Sequence, residues 1–180
     1  TIASGKVNAG SYTDIVAVGN IWMAGTSSGA GINVVDEYAN VTSTGGSIRL
    51  IGVVSGSGSV GVRLRGASIV TTQNATNGVI DILGTSTNTT SGWAVYMDGT
   101  GTATAPSVVN SAKTLNIIGY AAGAAGTYGI DTVSYILLKS AGNMLISGGT
   151  PNGTNSYAID LTNSIIKSGG TLTIQGASTA

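Results

Sequence analysis

Ile80-Asp-Ile-Leu-Gly84, Leu115-Asn-Ile-Ile-Gly119, Met144-Leu-Ile-Ser-Gly148 and Leu172-Thr-Ile-Gln-Gly176 repeat one phrase: apolar, any, apolar, any, glycine. Two earlier copies, Ile21-Trp-Met-Ala-Gly25 and Ile48-Arg-Leu-Ile-Gly52, bring the count to six. The glycines are spaced 27, 32, 35, 29 and 28 residues apart. A strand-period phrase returning every ~20–50 residues marks a solenoid, in which each repeat buries its apolar face only against the next.

A second phrase follows the first: Gly31-Ile-Asn-Val34, Gly61-Val-Arg-Leu64, Ala94-Val-Tyr-Met97, Gly129-Ile-Asp-Thr132 and Ala158-Ile-Asp-Leu161. The gap from the phrase-one glycine to the first apolar residue of phrase two is 7, 10, 11, 11 and 11 residues. The return to the next glycine varies from 17 to 24, the extra length falling at Asp98 to Ser107 and near Thr71 to Asn77. A third apolar pair, Ile69-Val70, Val108-Val109, Leu137-Leu138 and Ile165-Ile166, supplies another strand per repeat. The pattern therefore predicts an all-β parallel β-helix of about six turns of 27–35 residues, each with three short strands. The frequent glycine and the β-branched bias argue against helix. A β-sandwich is the structural rival, but nothing in a sandwich requires the same phrase with the same terminal glycine in every repeat.

Stacking the repeats predicts inward columns: Ile21, Ile48, Ile80, Leu115, Met144 and Leu172, beside Met23, Leu50, Ile82, Ile117, Ile146 and Ile174. Phrase two adds Ile32, Val62, Val95, Ile130 and Ile159. The glycine ending phrase one is expected at the corner where the chain turns. Residues 1–180 form one domain, read as a piece of a longer fibre because the pattern starts and stops in mid-repeat.

Composition narrows the chemistry. Only 8% of residues are charged, and seven Lys plus Arg balance seven Asp plus Glu. No basic footprint for nucleic acid exists. Cys and His are absent, which removes thiol chemistry and His- or Cys-based metal sites and triads. The least polar stretch, 117–126, is too short for the ~20 residues of a spanning helix, so membrane insertion is not expected. No glycine-rich phosphate loop is followed by the Lys and helix it would need, and no cofactor is expected.

The strand segments resemble those of large secreted bacterial adhesins. Gly129-Ile-Asp131, Ala158-Ile-Asp-Leu-Thr-Asn-Ser164 and Lys167-Ser-Gly-Gly-Thr-Leu-Thr-Ile-Gln-Gly-Ala-Ser178 are similar to the repeat region of filamentous-haemagglutinin-like, two-partner-secretion exoproteins. The resemblance extends over roughly Val60 to Ala180 and is shared with autotransporter passengers. It implies a right-handed β-helix, secreted and displayed on the outer surface of a Gram-negative-type cell, serving as stalk or adhesive fibre. The implied partner is a receptor or glycan on a host or neighbouring cell, with self-association along the fibre as a variant. The family's repeats have no fixed active site, so no residue role is carried over.

Candidate residues follow from the predicted faces. Trp22, between Ile21 and Met23, should point outward and is a candidate ligand contact. Arg63 and Arg65 flank Leu64 and should also face outward, where either would meet a carboxylate or sugar acid or simply keep the rod soluble. Tyr96 belongs to the outward column Asn33, Arg63, Tyr96, Asp131, Asp160. Asp131 and Asp160, on adjacent turns, are weak candidates for a cation site or a glycosidase pair, against two solvated surface carboxylates with mild repulsion. Trp93, Tyr128 and Tyr157 should by alternation point the same way as Val95, Ile130 and Ile159, forming an inward or corner ladder, the alternative being a sugar platform. Asn40, Asn74, Asn88 and Asn152 open Asn-x-Ser/Thr sequons, expected in polar turns and candidates for glycosylation. The functional alternatives to a fibre are a carbohydrate-active β-helix enzyme or polysaccharide-binding module, and a phage tail fibre.

Overall fold

The computed structural model describes residues 7–10, 12–28, 32–34, 38–88, 90–99, 104–123, 125–151 and 154–179. The chain winds in laps of three strands. The first two laps are β1 (Val7–Ala9), β2 (Asp14–Ala17), β3 (Ile21–Ser27) and β4 (Ile32–Val34), β5 (Asn40–Ser43), β6 (Ile48–Val54). The next two are β7 (Ser59–Arg65), β8 (Ile69–Thr72), β9 (Ile80–Ser86) and β10 (Gly92–Asp98), β11 (Ser107–Ser111), β12 (Leu115–Ala121). The last two are β13 (Thr127–Val133), β14 (Ile136–Ser140), β15 (Met144–Pro151) and β16 (Tyr157–Leu161), β17 (Ser164–Ser168), β18 (Leu172–Thr179).

Equivalent strands of successive laps pair into three six-stranded sheets: sheet I is β1-β4-β7-β10-β13-β16, sheet II is β2-β5-β8-β11-β14-β17 and sheet III is β3-β6-β9-β12-β15-β18. All the pairings are parallel, for example β9 with β12 and β12 with β15. This is a parallel β-solenoid and excludes the antiparallel sandwich. Right-handed winding is the sense expected of parallel crossovers.

The core is the set of inward columns expected from period-two alternation. Ile48, Ile80 and Leu115 stack in register, as do Leu50, Ile82 and Ile117, and all six are fully buried. Val62, Val95 and Ile130 close the core from sheet I, and Val70, Val109 and Leu138 from sheet II. Burial at ~25 cal/mol per Å² of apolar surface makes these columns the main source of stability. In the last lap the column continues with Leu172 and Ile174, which are 43% and 48% exposed because no described lap covers them.

The phrase-one glycine is not a corner. Gly52, Gly84, Gly119 and Gly148 lie inside β6, β9, β12 and β15, buried and in extended backbone. A Cβ at these positions would overlap the carbonyl oxygens of Gly61, Ala94, Gly129 and Ala158, respectively, on sheet I. The column of small residues opening phrase two is the other half of this contact. Sheets I and III approach so closely there that one side admits no side chain and the other only a methyl.

The real corners use different chemistry. The link from sheet I to sheet II carries left-handed residues: Tyr12 (φ 58°), Tyr38 (φ 68°), Ala67 (φ 51°), Ser134 (φ 62°) with Tyr135 (φ 63°), and Asn163 (φ 51°). The Tyr12 and Tyr38 rings stack at 5.3 Å. The link from sheet II to sheet III is held by hydroxyls at the ends of the sheet II strands. Ser43 donates to the Gly19 carbonyl (2.7 Å), Ser111 to Gly78 (2.7 Å), Ser140 to Lys113 (3.0 Å) and Ser168 to Gly142 (2.9 Å), each acceptor one lap back. The variable lengths fall in the connections, after β8 and between β10 and β11, where they leave the stacking register intact.

Candidate functional site

Sheet I gathers most of the candidate residues on its outer face. The register places Arg63 beside Tyr96, Tyr96 beside Asp131 and Asp131 beside Asp160. A parallel column, Val60, Trp93, Tyr128 and Tyr157, runs alongside.

Trp93, Tyr128 and Tyr157 therefore do not point inward. Trp93 and Tyr128 are half-buried and Tyr157 is 49% exposed, while Val95 and Ile130 are fully buried. Strict alternation fails between them because Ala94 and Gly129 sit at the close approach to sheet III, and the ladder register skips that pair. The chain spends one extra residue there with its small side inward, so positions 93 and 96 both emerge outside. The available signal was the column Gly61, Ala94, Gly129, Ala158: small residues at one strand position mark a contact that resets the period.

The rings stack along the rod: Trp93 on Tyr128 at 5.9 Å and 9°, Tyr128 on Tyr157 at 5.4 Å and 18°. Tyr96 leans on Trp93 at 5.8 Å and 57°, closing an aromatic corner. The Trp93 Nε1–H donates to Asp131 Oδ2 at 2.9 Å, which fixes the indole plane.

Asp131 is consequently not a solvated surface carboxylate; it is 7% exposed. Burial pushes its carboxyl up to about 6, with the Trp93 hydrogen bond opposing the shift and Asp160 and Asp98 adding to it. Asp160 is half-buried and its Oδ1 accepts from Thr162 Oγ1 at 2.9 Å. Burial, reinforced by Asp98 and Asp131, also raises the Tyr96 phenol above its ordinary value, and Arg63 and Arg65 oppose that shift.

The aromatic column stops at Trp93, because the next lap toward the N-terminus offers Val60. A recess of about 210 Å³ opens there, lined by Gly58, Val60, Arg63, Trp93 and Tyr96. The Arg63 guanidinium lies 5.7 Å from the Tyr96 ring centre, and its buried Nε has no hydrogen-bond partner among the described residues. Arg65 follows on the same face, exposed and in register with Asp98.

Trp22 stands apart on the outer face of sheet III, 48% exposed, beside Arg49 in the next lap. Its column continues through Asp81, whose Oδ1 accepts from Asn116 Nδ2 at 2.8 Å. The sheet I group and Trp22 are thus separate surfaces.

The sequons fall in different settings. Asn40 opens strand β5 instead of a loop and is half-buried, its Oδ1 accepting from Thr42 Oγ1 at 2.8 Å. Asn74 and Asn88 lie in connections and cap them, accepting from the backbone N–H groups of Thr76 and Asn77, and of Thr90 and Ser91. The Asn88 Nδ2, the atom glycosylation would use, donates to the Ser55 carbonyl of the preceding lap at 3.0 Å. Asn152 lies outside the described residues.

No protein-family model, no curated protein and no solved structure matches this chain.

Proposed function

We propose that this chain is a structural and adhesive segment of a secreted β-solenoid fibre, displayed on the outer surface of a Gram-negative-type bacterium. One observation carries the reading: three sheets continue lap on lap with their register kept, around a solid aliphatic core, through every change in connection length. Such a rod extends with its core cross-section unchanged, and its side faces carry side chains in continuous columns along its length. The function that follows is to project and to make lateral contacts, with receptors or glycans of a host or neighbouring cell as partners. Weak contacts repeated along a rod add through effective concentration.

The test is adherence. Beads coated with the purified polypeptide are expected to attach to epithelial or bacterial cells, and the soluble polypeptide is expected to compete. Beads that attach no better than albumin-coated ones would remove the adhesive half of the reading.

A hydrolytic reading has one observation in its favour, the buried Asp131 carboxyl near pH 6 next to Asp160. Against it, the two acids sit side by side on one sheet, whereas glycosidase carboxyls flank the scissile bond from opposite sides. Release of reducing ends from a polysaccharide, abolished by Asp131→Asn, would reinstate it.

A further inference from the structure

The recess at the end of the aromatic column has a composition that selects a ligand. Its walls are two ring surfaces meeting at an angle, Trp93 and Tyr96. The Trp93 indole is held in place from behind by Asp131, so its plane is set before anything binds. The neighbouring lap contributes Arg63, whose guanidinium flanks one ring and whose Nε is buried without an acceptor. An unpaired buried donor is unfavourable until something accepts from it. A planar fork of donors beside an aromatic plane matches a carboxylate attached to a ring with an apolar face.

Charge is distributed unevenly along this face. The cations Arg63 and Arg65 lie on β7, whereas Asp98, Asp131 and Asp160 follow on β10, β13 and β16. An anion is therefore favoured at the β7 end and repelled further along. The recess is small beside the ~300–1,000 Å³ typical of drug-sized ligand pockets. It has room for one sugar unit, with the rest of a glycan lying over the open face.

We propose that this recess binds a carboxylate-bearing sugar residue, its ring on the Trp93 indole and its carboxylate on the Arg63 guanidinium. The proposal rests on the adhesive reading above and gives it a ligand class and a place. Asp131 is a positioning residue in this scheme: it holds the indole and does not touch the sugar.

The experiment uses the whole 180-residue chain carrying Trp22→Phe, so that Trp93 alone reports by fluorescence. Titrants are a galacturonate hexamer and sialyllactose, each against its own methyl ester. These pairs keep the ring and remove the acid, and together they separate a uronate source from a sialate source. Saturable binding is expected for at least one acid and not for its neutral counterpart. Arg63→Gln is expected to weaken it at least about tenfold, with Arg63→Lys intermediate because a point charge cannot replace the fork. Trp93→Phe, followed by calorimetry, is expected to weaken it less than Arg63→Gln and to leave the circular dichroism unchanged. Equal binding of acid and neutral forms, no binding of either acid, or unaltered binding by Arg63→Gln would overturn the site. Bead adherence separates the two readings. Beads that adhere although the titration shows no acid-dependent binding refute the site and leave the fibre adhesive; acid-dependent binding without bead adherence keeps the site and removes the adhesive role.

Discussion

A single methyl group is too large for the interior at Gly84, because the Ala94 carbonyl oxygen occupies the space a Cβ would need. Both groups are backbone, so neither can swing aside. Gly84→Ala is expected to destabilise the protein by about 3 kcal/mol or more, at the upper end of overpacking costs. Gly149→Ala is the control. Its Cβ would meet the Tyr120 ring on the outer face, which has room to move, and a change under about 1 kcal/mol is expected. Urea unfolding of the two variants separates these outcomes. Asp131 offers a second test. Its folded carboxyl titrates near 6, above the ordinary 3.8, so between these values the native state binds more protons than the unfolded chain. The contribution of Asp131 to stability is therefore most favourable below pH 4, falls as pH rises toward 6 and stays lower above it. A shift of this size, screened at the open side of the face, corresponds to about 1–2 kcal/mol. Asp131→Asn removes the buried charge and still accepts from Trp93. It is expected to unfold at a higher temperature than the wild type at pH 8 and at about the same temperature at pH 4. A parallel response at both values would show that burial of the charge does not govern the site.

At the scale of elements, four strands of sheet II, β5, β11, β14 and β17, end on hydroxyls that tie their lap to the one before. The buried Ser140 hydroxyl lies 3.0 Å from the Lys113 carbonyl of the preceding lap and 2.9 Å from the Asn143 carbonyl of its own corner, its single proton shared between them. Ser140→Ala removes the hydroxyl but leaves both carbonyls accepting from backbone N–H groups, Lys113 from Gly142 and Asn143 from Leu115, and is expected to cost about 0.5–1.5 kcal/mol in a denaturant titration. Ser168→Ala, in an exposed corner, is expected to cost less. The strands themselves were legible from residue types. Ile80, Ile82, Leu115 and Ile117 alternate with Asp81, Leu83, Asn116 and Ile118, and period two places the first set inside whatever lies beyond. The outward column Arg63, Tyr96, Asp131 and Asp160 was legible for the same reason. The aromatic corner was not. Its orientation depends on where sheets I and III touch, a tertiary contact that alters the local period between Trp93 and Val95. The depth of Asp131 was hidden by the same step, because Trp93 had first to be placed outside before it could cover the carboxylate. Corner conformations were illegible for a different reason. Tyr12, Tyr38 and Tyr135 adopt left-handed backbone that their side chains disfavour, and only the closed lap explains why they bear it.

For the whole molecule, stability is a sum over laps and the contacts between neighbours. Interior positions of β9 and β12, such as Ile82 and Ile117, are fully buried, whereas Leu172 and Ile174 of β18 are about half exposed. Amide hydrogen exchange in the 180-residue polypeptide is therefore expected to be slowest in β9 and β12 and fastest in β18. Uniform protection from end to end would mean that the laps melt together. The lap arrangement also has a mechanical consequence. Successive laps rise by ~4.8 Å, while each, once peeled off, releases about 100 Å of extended polypeptide at ~3.3–3.6 Å per residue. Tension applied to the two ends should lengthen the rod in discrete steps of that size, each dissipating work while the remaining coil still holds. A tether built this way absorbs shock by giving ground one loop at a time, and it regains its length by rewinding on the template left behind.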